Sequence, residues 1–372
     1  MLPLLREHWG NPSSAHARGR AARRAVDGAR DRLAAMLGCA PRELTFTSGG
    51  TEADNLALRG SVQRWGSERG RHVVVSAIEH EAILSSAAAL AGRGEAEVSV
   101  VGCERSGRVD PERVAAAVRP DTVLVSLMLA NNEIGTVQEV AEAARLARQV
   151  NPRTLVHSDA VQALGRLPLS PAGLDVDLLS LSAHKCYGPK GCGVLYARSG
   201  VGLTAQVDGG GQERGRRSGT ENVAAIAGFA AAAELVEDER GAEGKRQARL
   251  RDEFEKVVTA ATGARVAGRA AERLPHLSAL LVDGASSESL VTALDLEGVE
   301  ASSGSACSSG AAQPSHVVVA LGEDPRRVAL LRLSLGRGTS AAEMAHAARL
   351  VIGAVSRARV GCGPHPVQHP GR

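Results

Sequence analysis

"TLVHSDAVQALGRLPLSPAGLDVDLLSLSAHKCYGPKGCGVLYA", residues 154–197, contains three short β-rich runs separated by turns. The runs are "TLVHSD" (154–159), "DLLSLS" (177–182) and "GVLYA" (193–197), each too short for a stable helix and bounded by Gly, Pro or Asp. Upstream, the same kind of run recurs as "LTFT" (44–47), "HVVVS" (72–76), "EVSVV" (97–101) and "TVLVSLM" (122–128), with Ala-, Leu- and Arg-rich helical stretches between them. Strands alternating with helices imply an α/β fold whose sheet is mostly parallel and covered on both faces. Ligands on such sheets bind just beyond the carboxyl ends of the strands, so the residues that follow each run are the first candidates for chemistry.

Three of those positions carry reactive or recognition groups. Asp159 closes the "TLVHSD" run, and His184 and Lys185 follow "DLLSLS". A lysine at the end of an apolar strand is expected to be partly desolvated, with a depressed pKa that favours Schiff-base chemistry; a lysine reaching to the rim reads the same way. After the first run comes "TSGGTEADN" (47–55), a glycine turn leading into a helical pattern. Exposed N–H groups there, with Gly50 and Thr51 allowing close approach, suit a phosphate, although a plain capped helix start fits too and no Walker-type Lys follows. An acid, a phosphate-type turn and a lysine at three strand ends together match what pyridoxal 5'-phosphate requires: a phosphate cup, a carboxylate for the pyridinium nitrogen and an amine for the aldehyde.

Bulk properties narrow the alternatives. The 372-residue chain is 44% hydrophobic and 23% charged, ordinary for a globular protein. Its net charge of +3 and 2% aromatic content supply neither the basic surface nor the stacking platforms of a nucleic-acid binder. "ARGRAARRAVDGAR" reads as the solvated side of a helix. Six cysteines at 39, 103, 186, 192, 307 and 362 form no CxxC pair, which fits a reduced, cytoplasmic setting. No run is long enough for a membrane span, and the N-terminus has no signal-peptide pattern.

The expected organisation is a large α/β domain over 10–235, a smaller α+β domain over 236–360 and a loose tail over 361–372. "VAAIAGFAAAAELVEDERGAEGKRQARLRDEFEKVV" reads as helices leading out of the large domain. The smaller domain comprises "LSALLVDG" (277–284), "SLVTALDLEG" (289–298), "VALLRLSLG" (328–336) and "AAEMAHAARLVIGAVSRA" (341–358). It also carries "SSGSACSSGAAQPSH" (302–316), where Cys307 sits in a run of Ser, Gly and Ala that can build no core. A reactive thiol on a loop and a chance cysteine in a linker are both open on composition.

With these motifs in hand, the chain resembles the NifS/IscS-like cysteine desulfurases of the class V aminotransferase group, which are fold-type I pyridoxal-phosphate enzymes. "TSGGTEADN", "EHEAI", "NNEIG", "HSDAVQALG", "SLSAHKCYGPKG", "GGGQERGRRSGTEN", "SSGSACSSG" and "RLSLGR" occur in the family's order, and the resemblance runs from about residue 10 to residue 339. It implies that Lys185 binds the cofactor's aldehyde carbon, that Asp159 faces the pyridinium nitrogen and that Gly50, Thr51, Ser182 and His184 hold the phosphate. Thr220 would add to that phosphate site across a homodimer interface. His80 would stack on the ring and move protons, and Asn132 and Gln162 would touch the cofactor. Arg332 would clamp the substrate carboxylate, with Asn11 nearby. Cys307 would be the nucleophile that takes sulfur from L-cysteine, leaving a persulfide for a sulfur acceptor or an iron–sulfur scaffold protein, and L-alanine. The long form of the Cys307 loop resembles the sub-class that hands sulfur to a scaffold. Neither nucleic acid nor a membrane is an expected partner.

The match departs from the family in places. Relatives carry a strand and an Ala-Thr-Thr-type turn ahead of "GNPSS", and this sequence starts at Met1 without them, which is expected to reflect either a start placed too far downstream or an enzyme that works without the segment. Cys186 replaces a bulkier apolar residue and is expected to serve as a small hydrophobe. The tail lacks the longer extension with which some relatives dock a scaffold; its Cys362, His365 and His369 are read as tail residues rather than a metal site. Alternatives to the desulfurase are a selenocysteine lyase, a transaminase of the same fold, and an inactive relative that only binds cofactor and partners.

Overall fold

The structure, a computed structural model, describes residues 1–304 and 314–360. Cys307 and the tail with Cys362, His365 and His369 lie outside the described residues. The chain divides into two compact units. The first comprises Met1–Cys103, Val109–Asn131 and Val137–Gly241; the second comprises Glu104–Arg108, Asn132–Thr136 and the described part of Ala242–Arg372.

The first unit begins with α1 (Leu2–Arg6), α2 (Ala17–Leu37), β1 (Leu44–Thr47), α3 (Gly50–Arg69), β2 (His72–Ser76) and α4 (Glu81–Gly92). It continues through β3 (Glu97–Val101), α5 (Pro111–Ala117), β4 (Thr122–Ser126), α6 (Val140–Val150), β5 (Leu155–Asp159), β6 (Leu178–Ser182) and β7 (Gly193–Ala197). Helix α7 (Val223–Thr262) starts in this unit and ends in the second. The seven strands form one sheet in the order β1-β7-β6-β5-β4-β2-β3. Only β7 runs against the others, pairing antiparallel with both β6 and β1. Every residue of β1, β2, β4, β5, β6 and β7 is buried, as a sheet covered on both faces demands, whereas β3 is an exposed edge.

The seven runs read as strands coincide with these elements. Strand β4 stops at Ser126 rather than at 128, although Leu127 N and Leu129 N still donate to His157 O and Asp159 O. Beyond Ser126 the chain stays bonded to β5 but leaves the regular ladder. Two expectations change. The Arg-rich helix α2 is not solvated throughout: His16 caps it by accepting from Gly19 N, its buried stripe runs Ala22, Val26, Ala29, Leu33, Leu37, and Arg30 is buried beside that stripe. The Ala-rich segment expected as several helices is the single 40-residue α7, with Glu237–Arg240 and Glu243–Arg246 pairs on either side of Gly241.

The second unit adds β8 (Arg265–Val266), β9 (Leu277–Asp283), α8 (Ser287–Asp295), α9 (His316–Ala320), β10 (Val328–Ser334) and α10 (Ala341–Val360). Its strands form an antiparallel sheet in the order β10-β9-β8, and Leu250, Phe254, Leu280, Leu290, Leu331 and Val351 belong to the core beneath it. The segments 104–108 and 132–136, which lie inside the span expected for the large domain, group with this unit. Among the described residues no helix is long and apolar enough to cross a membrane.

Leu124, fully buried on an interior strand of the seven-stranded sheet, tests the core directly. Leu124→Ala is expected to cost about 2–5 kcal/mol in urea unfolding, the transfer loss plus the cavity it leaves.

Candidate active site

Because β1, β4, β5 and β6 run in one direction, their carboxyl ends share an edge of the sheet, and β7 enters the sheet at that same edge. The register sets Gly193 between Thr47 and Ser182. The chain after Thr47 then folds back over it: a Cβ on Gly193 would lie 2.5 Å from Gly49 C and 2.7 Å from its Cα. A Cβ on Gly50 would meet Val161 Cγ2 at 2.7 Å and Ser182 Cβ at 3.5 Å. The close approaches at Gly193 and Gly50 thus seat the first turn of α3, with Gly50 and exposed Thr51, against the ends of β5 and β6. Ser182 Oγ and His184 Nδ1 are 2.9 Å apart beside it. This cradle of helix N–H groups, hydroxyl and imidazole is the donor set a phosphate needs.

Asp159 ends β5 with its carboxylate buried; Oδ1 accepts from Val161 N at 2.9 Å. Burial pushes this carboxyl above its usual range, opposed by the Val161 N–H and by the charges of His80 and Lys185. A buried carboxyl in that state is one that a cationic ring N–H would return to the charged form, so it fits the pyridinium partner. His80 caps α4, its Nδ1 accepting from Ala82 N at 3.1 Å. Gln162 is half-buried in the turn after β5, and its carbonyl accepts from Arg166. Lys185 lies in a tight turn, Ala183–Cys186, just past β6 and is exposed, contrary to the expected desolvation. One residue on from it the chain is buried again: Cys186 Sγ donates to Ala183 O at 3.2 Å and burial pushes its thiol up to about 11. That is the behaviour of the small hydrophobe expected at this position.

Under the edge lies a polar layer. His157 on β5 is fully buried, with Nδ1 2.9 Å from Ser126 Oγ and Nε2 2.9 Å from Ser180 Oγ, and Asp54 Oδ1 stands 3.6 Å from Nε2. Glu79 Oε1 accepts from Ser76 Oγ and from Met128 N, both at 2.7 Å. Burial brings His157 down to about 3 and Glu79 up to about 8. Asp54 is raised by burial and by the neighbouring Asp159.

In the second unit Arg332, half-buried on β10, donates from Nη1 to Asn132 O at 2.8 Å, and its backbone exchanges hydrogen bonds with Ser302. Glu133 is buried next to Asn132; its Oε2 accepts from Ser315 Oγ, and a Cβ on Gly304 would lie 2.5 Å from that same oxygen. Glu133 of the "NNEIG" motif therefore lies against Gly304 and binds Ser315, on the two sides of residues 305–313. Thr220 and Asn11 are exposed residues of the first unit; Asn11 Oδ1 accepts from Ser13 N at 2.8 Å.

The first unit thus brings together Gly50, Thr51, Ser182, His184, Asp159, His80 and Lys185, and the second joins Asn132 to Arg332. Gly193, Glu133 and the layer of Asp54, Glu79 and His157 were not singled out in the sequence. A glycine opening a strand is the signal by which Gly193 could have been found.

A family model for the aminotransferase class-V domain matches residues 1–346. The chain is similar to the cysteine desulfurase IscS of Anaeromyxobacter sp. (strain Fw109-5), with 44% identity over 367 residues, 96% of this chain and 89% of the relative. It is 41% identical over 360 residues to the putative cysteine desulfurase IscS 1 of Bacillus subtilis (strain 168), covering 96% and 94%. A solved NifS-like protein superposes with a TM-score of 0.88 at 34% identity, covering 96% of this chain and 94% of that one.

Two outcomes follow from this geometry. Gly193→Ala must push the Gly49 backbone away, so it is expected to lower thermal stability by about 1–3 kcal/mol and to weaken pyridoxal-phosphate binding in a spectrophotometric titration. Glu79 carries a proton in the folded chain that the unfolded chain has lost between its ordinary 4.5 and about 8, so its contribution to stability is full below that window and is lost as pH rises through it. Glu79→Gln, which cannot ionise, is expected to remove this downward slope of at most ~1.4 kcal/mol per pH unit from urea unfolding measured across the window.

Proposed function

We infer from these matches that the chain, which belongs to the aminotransferase class-V family, is a cysteine desulfurase that takes sulfur from L-cysteine and releases L-alanine. The observation that carries this reading is the cluster at the sheet edge, where the cradle at Gly49–Gly50, the Ser182–His184 pair, buried Asp159 and Lys185 stand within one turn of the ends of β1, β5 and β6.

The residues fit pyridoxal 5'-phosphate, on which enzymes of this family depend. When bound, it supplies an electron sink that weakens bonds at the substrate's Cα and Cβ. Gly50, Thr51, Ser182 and His184 hold its phosphate, and Thr220 adds a hydroxyl from a second copy in a homodimer. Asp159 holds the ring nitrogen protonated. Lys185 would hold the aldehyde carbon, and its amine would carry the Cα proton; it lies in an exposed turn just past β6. His80, held by its cap on α4, stacks on the ring and moves protons; Asn132 and Gln162 contact the cofactor. Arg332 binds the substrate carboxylate through its planar fork, and Asn11 contributes to substrate binding.

Cys307 acts as a thiolate on the sulfur of the bound cysteine. The new S–S bond forms as the substrate's Cβ–S bond breaks, and the electron pair left on carbon takes up a proton on the way to alanine. The persulfide on Cys307 is then attacked by an acceptor thiol or handed to an iron–sulfur scaffold. The thiols of half-buried Cys39 and buried Cys186 and Cys192, pushed up to about 12, 11 and 12 mainly by desolvation, are poor competitors for this step.

The purified protein, loaded with cofactor and given L-cysteine with a thiol reductant, is expected to form alanine catalytically. Cys307→Ala is expected to keep the visible absorbance of lysine-bound cofactor and lose turnover by at least about a hundredfold; sulfide release at the wild-type rate would remove Cys307 from its role. Lys185→Ala is expected to lose the absorbance itself.

A further inference from the structure

We propose that Arg30 and Glu213 form a buried latch that positions Thr220, making both of them positioning residues for the phosphate end of the cofactor. The proposal rests on the reading of Thr220 as a phosphate ligand. It starts from "GGGQERGRRSGTEN" (209–222), a loop in which two residues other than glycine adopt left-handed backbone, Glu213 at φ 50° and Arg214 at φ 59°. Such conformations persist only where surrounding contacts over-determine them.

Here the contacts converge on one carboxylate. Glu213 Oε1 accepts from Arg30 Nη2 at 2.6 Å, and Oε2 accepts from Arg30 Nη1 at 2.8 Å and from Phe46 N at 2.9 Å. The same Nη1 donates to Leu44 O at 2.8 Å, and the guanidinium lies 4.6 Å from the centre of the Phe46 ring. The side chains of Arg30 and Glu213 are only 4% and 2% exposed. Two charges are buried this deeply only when each satisfies the other, and a planar fork on both oxygens fixes orientation as well as distance. The loop is thereby locked to β1, the strand that runs into the Gly49–Gly50 cradle.

From that anchor the path to Thr220 is short. Gln212, adjacent to Glu213, turns its side chain the other way, and its Oε1 accepts from Gly219 N at 2.8 Å. The residue held this way immediately precedes Thr220. On the far side, Arg217 Nε donates to Glu52 Oε1 at 2.8 Å, and Glu52 Oε2 accepts from Ser48 N at 2.8 Å, which ties the loop to the turn between β1 and α3 as well. Without the Arg30 fork, only the Phe46 N–H is left to hold the Glu213 carboxylate, and with it the orientation of Gln212 toward Gly219 is weakened.

The test is a double-mutant cycle on cofactor affinity, comparing pyridoxal 5'-phosphate with phosphate-free pyridoxal in titrations of the apoprotein, with circular dichroism to verify folding. Thr220→Ala and Glu213→Gln are each expected to weaken pyridoxal-phosphate binding by about tenfold, the loss of one hydrogen bond to a charged group. Pyridoxal affinity should stay unchanged, and the double variant should be no weaker than either single one. Arg30→Lys keeps the buried charge, loses the fork and is expected to repeat the pattern, so it serves in the cycle if Glu213→Gln fails to fold. A Thr220→Ala effect with Glu213→Gln and Arg30→Lys unchanged, or with losses that add in full, would overturn the latch alone. No effect of Thr220→Ala would overturn the reading of Thr220 instead.

Discussion

The main chain of Gly49 passes over Gly193 at a distance that leaves no room for a methyl group. That contact is possible because β7 is the one antiparallel strand and begins where its neighbours end, so its first residue sits in register between Thr47 and Ser182. A parallel strand in the same slot would present its last residue there, followed by a loop competing for the same space. With β7 reversed, the turn after β1 folds inward, α3 starts directly against the ends of β5 and β6, and a helix N-terminus, a hydroxyl, an imidazole and a buried carboxylate share one edge. A cysteine desulfurase of the class V aminotransferase family needs little more from its large unit.

Such an edge must be held stiffly, and the interior below it does so at some electrostatic cost. His157, Asp54 and Glu79 lie where every strand residue is buried, so each polar atom must find a partner inside the protein or lose the solvation it had in water. Serines at 76, 126 and 180 provide most of those partners. Burial holds the imidazole of His157 down and the carboxyls of Asp54 and Glu79 up, which favours the uncharged form of each in the layer beneath Asp159. In the second unit the buried Glu133 carboxylate accepts from Ser315 Oγ and lies close against Gly304.

Much of this was legible in the sequence. Short Val- and Leu-rich runs fall where the strands fall, because strands buried on both faces leave an apolar run with no alternation to blur it. Asp159, His184 and Lys185 were legible as candidates because they follow such runs, where ligands of parallel sheets collect. The rest was not legible, because it depends on how segments turn and meet in three dimensions. Arg30 belongs to an arginine cluster that looks solvated, yet it is buried because Glu213 meets it. Lys185 follows an apolar strand, yet the turn at Ala183–Cys186 carries it outward. "NNEIG" reads as a single motif, yet Asn131 belongs to one unit and Asn132–Thr136 to the other.

The sequence by itself determined the elements, their order and the residues waiting at the strand ends, since periodicity, glycine turns and helix caps act over a few residues. Tertiary structure alone decided which of those residues meet. Glu213 and Arg30 are 183 positions apart, and Gly193 reaches Gly49 across a sheet whose strand order skips along the chain. No local pattern encodes that order: the register and the single reversed strand are set by how the whole sheet buries its two faces, and the contacts that build the site come after that choice.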